Sequence, residues 1–155
     1  MAATSTNKQP LLVDRVLHYV VNLDTAAVGA IDVAGTNTAL LIVDGTTSDG
    51  AIIEDIYSIA RGTSESIINL YISSSADYLR PNEGVLVGQF KSATTKGSVT
   101  RWDEMPKILA PMPHTGSESQ FKAFYLPKGR ALWAAREANT VTTDGPLLGC
   151  QGGWY

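Results

Sequence analysis

Apolar residues recur along the chain in short runs, alternating or continuous, that are separated by clusters of Gly, Ser, Thr, Asp and Pro. This pattern predicts strands, because side chains alternate between the two faces of a β-strand and turn-forming residues punctuate its ends. The segments marked in this way are 11–21, 28–33, 38–44, 51–59, 66–73, 84–91, 97–102, 119–126, 130–136 and 139–143. In SIINLYIS (66–73), Ile68, Leu70 and Ile72 share one face, and Ile67, Asn69 and Tyr71 the other, so one face reads as core and the other as mixed. GVLVGQFK (84–91) behaves similarly, one face core and the other mixed, with Leu86 and Phe90 opposite Val85, Val87 and Gln89 and Gly88 permitting close backbone approach. A helical period of 3.6 competes only marginally, in VDRVLHYVV.

Turn chemistry supports these boundaries. DGTTSDG (44–50) joins two apolar strands with glycine near both ends, and RPNEG (80–84) places Pro and Gly at turn positions. Many short strands without helices predict an all-β fold: a single antiparallel β-sandwich, jelly-roll-like, with extended N- and C-terminal arms. The expected division is an arm at 1–10, a sandwich domain at 11–145 and a glycine-spaced, aromatic-tipped tail at 146–155. Between the expected strands, DEMPKILAPMPHTGSES (103–119) carries three prolines.

Length and composition narrow the classes. At 155 residues, 44% hydrophobic and 17% charged, the chain reads as one folded domain with a real core. A net charge of −3 without any Lys/Arg cluster leaves no source for counterion release, so nucleic acid is not an expected partner. Apolar runs such as LLIV (40–43) fall far short of the roughly 20 residues a spanning helix needs, and no membrane association is expected. MAATSTNKQP lacks a basic and then apolar leader pattern, and Cys150, the sole cysteine, forms no internal disulfide; both fit folding in a reducing cytoplasm.

Candidate chemistry is sparse. His18 and His114 are the only histidines, neither is near the cysteine in sequence, and no GxSxG elbow occurs. The acid pairs Glu54-Asp55 and Asp103-Glu104 point to opposite faces if they lie on strands, and do not converge on one bond. Asp44, Thr46, Ser48 and Asp55 approximate a calcium-loop spacing, but Asp49 stands where that loop needs glycine. Gly45 and Gly50 have the spacing of a phosphate loop, but Ala51-Ile52 replaces its Lys-Ser/Thr. One cysteine and two distant histidines make no local zinc motif. The expectation is a non-enzyme without metal or cofactor.

Aromatic residues remain. Trp102, Trp133, Trp154, Tyr71, Tyr125 and Tyr155 suit interface anchoring or sugar stacking, with core filling the stronger reading for Trp133 and Tyr125. In FYLPKGRALWAA (124–135) a Pro-Lys-Gly turn joins strands apolar on both faces; Leu126, Leu132 and Ala134 are expected to point inward, and the second face suggests burial against another subunit. The expected partner contacts are Leu11, Leu12, Trp102, Trp133, Leu147, Leu148, Trp154 and Tyr155.

The segments KQPLLVDRVLH (8–18), GAIIEDIYSIARGTS (50–64), INLYI (68–72), DYLRPNEGVLVG (77–88) and FYLPKGRALWAA together resemble the small β-sandwich virion proteins of tailed bacteriophages, including marine and cyanobacterial phages. The resemblance implies a structural role as a capsid cement or decoration protein, or as a neck or tail accessory protein. It also implies the major capsid protein or tail and neck proteins as partners, a homo-oligomer or symmetric assembly, and a place in a virion assembled in the host cytoplasm. Two alternatives accompany it: a glycan- or receptor-binding module of the tail stacking on Trp102, Tyr71 or Tyr78, and a fragment of a polysaccharide-degrading enzyme.

Overall fold

The computed structural model describes residues 15–24, 39–77, 79, 84–103, 123–137 and 144–154. Its strands are β1 (Arg15–Asn22), β2 (Leu40–Asp44), β3 (Gly50–Ile59), β4 (Ile67–Ser73), β5 (Val85–Lys91), β6 (Val99–Arg101), β7 (Phe124–Pro127), β8 (Ala131–Arg136) and β9 (Leu147–Trp154). Among the described residues there is no helix, and so none long and apolar enough to cross a membrane. The segments 28–33 and 139–143, also read as strands, lie outside the described residues, as do Leu11, Leu12 and Tyr155.

All pairings are antiparallel and form two sheets. The first runs β1-β9-β3, and the far side of β3 is shared by β7 along Gly50–Ile53 and β6 along Tyr57–Ile59. The second runs β2-β8-β4-β5. The Pro127-Lys128-Gly129 turn carries the chain between the sheets, because β7 pairs with β3 while β8 pairs with β2 and β4. Gly129 takes φ 76° there, the left-handed region glycine favours, and its N–H donates to Gly45 O at 3.0 Å.

One apolar core lies between the sheets. It takes Leu17 from β1, Ile42 and Val43 from β2, Ile53 and Ile56 from β3, Ile68 and Leu70 from β4, Phe90 from β5, Leu126 from β7, Leu132 and Ala134 from β8, and Leu148 and Cys150 from β9. The inward set expected in 66–73 is thus the observed one, with Ile72 packed against the same cluster, and so is the set Leu126, Leu132 and Ala134.

Three expectations are corrected. The supposed C-terminal tail is β9, an interior strand hydrogen-bonded to β1 on one side and β3 on the other; Leu148 and Cys150 seal it into the core. Leu86 is exposed, because an extra residue in β5 shifts the register between Leu70↔Gly88 and Tyr71↔Leu86, which turns Val87 toward the core instead. The second apolar face of β8 is buried within this chain and not against another subunit. Trp133 packs there with Tyr71, Leu79, Ala131 and Ala135, and its indole N–H donates to Ser75 O at 3.0 Å. Residues 74–77 and Leu79 form this cover, braced by Ser75 N–H to Ser73 Oγ at 3.3 Å and Asp77 N–H to Ser75 Oγ at 3.2 Å.

Candidate docking face on the first sheet

The outward face of the first sheet is set by its register. Pairs Val16↔Gly153, His18↔Gln151, Val20↔Gly149 and Asn22↔Leu147 align β1 with β9, and β9 aligns with β3 through Gly153↔Ile52, Gln151↔Asp55, Gly149↔Tyr57 and Leu147↔Ile59. Beyond β3 the rows end in Tyr125, Arg101 and Val99. Because Leu17, Ile53, Ile56, Leu126, Leu148 and Cys150 face the core, these alternate positions face away from it. Val16 (83% exposed), Val20, Val99 and Tyr125 are open to solvent, and Ile52, Tyr57, Ile59 and Leu147 are half-buried.

Tyr57 forms the centre of this face. A Cβ added to Gly149 would lie 2.5 Å from each of Tyr57 Cε1 and Cε2 and closer still to Cζ. Equal distances to both sides of the ring put Gly149 beneath its flat face, so the opposite ring face is turned outward. No residue larger than glycine admits this geometry without displacing the ring. Beside it, Arg101 Nε donates to Asp55 Oδ2 at 3.0 Å, with Asp55 mostly covered and Arg101 open. The pair neutralises itself; exposed Glu54, the extra residue at the β3 register shift, and uncharged Gln151 are polar neighbours among the apolar and aromatic positions of the sheet.

The expected contact residues are redistributed. Trp102 (3% exposed) is interior: its indole lies on Gly88, which has no side chain to displace it, and tilts against Phe124 with ring centroids 6.1 Å apart. Trp133 and Leu148 are interior too. Trp154 is half-buried at the core margin, with the Arg15 guanidinium 5.7 Å from its ring centroid. Only Leu147 of the described candidates lies on the outward face. Tyr125, read as core, is exposed, whereas Tyr71 is buried and its hydroxyl pKa is pushed up by that burial. A stacking surface of Trp102 and Tyr71 is therefore ruled out; Tyr78 lies outside the described residues.

The calcium-like spacing also separates in space. Asp44 Oδ1 accepts from Thr46 N–H at 2.9 Å and from the Thr46 hydroxyl, closing the turn locally, while Asp55 is on β3 with Arg101. Among the described residues, no three His, Cys, Asp or Glu side chains gather as metal ligands. Cys150 is enclosed in the core; burial first, and then the charge of Asp55, push its thiol up to about 12. No known protein family, curated protein or solved structure matches the chain.

Proposed function

We propose that the chain is a jelly-roll-like β-sandwich that acts as a non-enzymatic structural protein of a tailed-phage virion, most simply a capsid cement or decoration protein. The observation that carries this reading is the outward face of the first sheet, where Val20, Tyr57, Ile59, Val99 and Leu147 form one apolar surface around a self-neutralised ion pair. A face of this kind suits docking on a protein lattice, where apolar area supplies affinity and fixed polar groups supply register. The quoted strand and turn segments point to the same class. Purified particles of the encoding phage, analysed by quantitative mass spectrometry, should hold the chain at a fixed copy number. Its absence from intact particles would end the proposal.

A second reading, a glycan-binding module of the tail, is supported by the outward ring face of Tyr57 beside Asp55, Arg101 and Gln151, since sugars stack on aromatic faces and hydrogen-bond to flanking polar groups. It predicts saturable binding of host surface polysaccharide that Tyr57→Ala removes. Binding that is undiminished in that variant would discard it.

A further inference from the structure

Tyr57, Asp55 and Gln151 stand around one point of the first sheet, because Gly149↔Tyr57 and Gln151↔Asp55 are successive outward pairs of β9 and β3. Arg101 joins them from β6 through the pair Tyr57↔Arg101. Side chains from three strands therefore meet on one face, within reach of one small ligand. Arg101, Gln151 and Glu54 are exposed there, and Tyr57 is half-buried.

Each group is held in place and keeps bonding capacity. The Tyr57 ring rests on Gly149, which fixes its inner face and leaves the outer one for stacking. The Arg101–Asp55 bond engages Nε and Oδ2 at 3.0 Å. It leaves Asp55 Oδ1 as an acceptor and the two terminal nitrogens of Arg101 as donors, on side chains 17% and 65% exposed. Gln151 adds an amide that both donates and accepts. A flat apolar ring flanked by a fixed acceptor and fixed donors complements a pyranose. The C–H face of the sugar covers the ring, and adjacent hydroxyls, each donor and acceptor at once, meet the polar pair. Because Gly149 and the ion pair set these groups beforehand, binding has little left to order.

We propose that this cluster binds one neutral pyranose unit of a glycan, stacked on Tyr57, with two neighbouring hydroxyls on Asp55 Oδ1 and the terminal nitrogens of Arg101. The inference rests on the glycan-module reading and names its ligand class. Charge selects neutral over acidic sugars. The Asp55–Arg101 pair cancels, so Glu54 supplies the net charge beside the ring. A sugar carboxylate would meet that charge, and to pair with Arg101 it would have to displace Asp55, leaving a mostly covered carboxylate without its partner.

The probes are the methyl glycosides of glucose, galactose and mannose, each compared with its uronic acid. Saturation-transfer NMR and amide-shift titration of the full chain should show a neutral glycoside binding with shifts centred on Tyr57, Arg101 and Gln151. The matching uronic acid should bind about fivefold more weakly at low salt, the cost of one like-charge contact in water. Tyr57→Phe should retain binding, whereas Tyr57→Ala and Arg101→Met should each weaken it about tenfold. Arg101 is exposed and its ion pair contributes little to stability, so that variant keeps the test independent of any unfolding by Tyr57→Ala. Shifts centred on another surface, or binding that both variants leave intact, would overturn this site while the glycan-module reading stands. A uronic acid bound more tightly than its neutral counterpart would overturn the ligand class. No saturation transfer to any of these sugars at about 10 mM, which detects millimolar affinity, would overturn the site outright, and retained polysaccharide binding in that case would spare the broader reading.

Discussion

Glycines decide more of this surface than any other residue type. At Gly152 a Cβ would collide with the Ile52 carbonyl oxygen and sit 3.0 Å from Ile53 Cα, and backbone cannot step aside as a side chain can. Gly152→Ala should therefore destabilise the fold by about 3 kcal/mol, at the upper end of overpacking costs, as read by urea denaturation. Gly149→Ala meets only the end of the Tyr57 side chain. That variant should stay folded while tilting the ring off the sheet, a change visible in near-ultraviolet circular dichroism. Cys150 gives a second test at this scale. Its thiol is held neutral to about 12 against an ordinary value of 9.0, so the folded state retains a proton that the unfolded state releases in between. The contribution of this thiol should be unchanged below pH 9 and fall above it by about 1.4 kcal/mol per pH unit at most. Native protein should also resist thiol reagents until it unfolds.

At the scale of elements, β9 governs the first sheet. It hydrogen-bonds to β1 and β3 along its whole length, and Leu148 and Cys150 belong to the core. Removing residues 147–155 should therefore yield an unfolded or aggregating chain, with the cooperative thermal transition lost; a truncated protein that melts normally would contradict the topology. The same strand marks the boundary of what the sequence discloses. Period-two alternation places β1 to β8, with the expected extensions 11–14 and 119–122 outside the described residues, because Val, Ile and Leu at alternate positions have few other uses in a chain so poor in helical periodicity. LLGCQGGW hides its strand character behind three glycines, whose missing side chains are what let Tyr57 and the Ile52 backbone come close. With β9 read as a tail, β1 has no visible neighbour, and the face the two strands share is not legible. Gly88 shows the opposite case: its expected close approach is there, filled by the Trp102 indole. Leu86 is misplaced because the bulge in β5 falls at Val87, and its one mark in the sequence, the adjacent Gly88, reads there as close backbone approach.

At the scale of the molecule, the two sheets divide their outer surfaces unequally. The second sheet covers its outer cluster with residues 74–77 and Leu79 from the same chain and ties that cover to Trp133. Trp133→Phe should cost about 1 kcal/mol through the lost hydrogen bond to Ser75 O, measured by thermal melting, with no effect on assembly. The first sheet presents Val20, Tyr57, Val99 and Leu147 with no such cover among the described residues, and this asymmetry supports the proposal that the first sheet is the docking side. For the proposed virion role, the most direct test is a titration of purified chain onto phage particles stripped of it, comparing wild type with Val99→Asp plus Tyr57→Ala and with Val85→Asp. Saturation at a fixed ratio by wild type and Val85→Asp, and loss of binding in the Val99/Tyr57 variant, is the predicted result. Equal occupancy by all three, or none by wild type, would contradict a docking role for the first sheet.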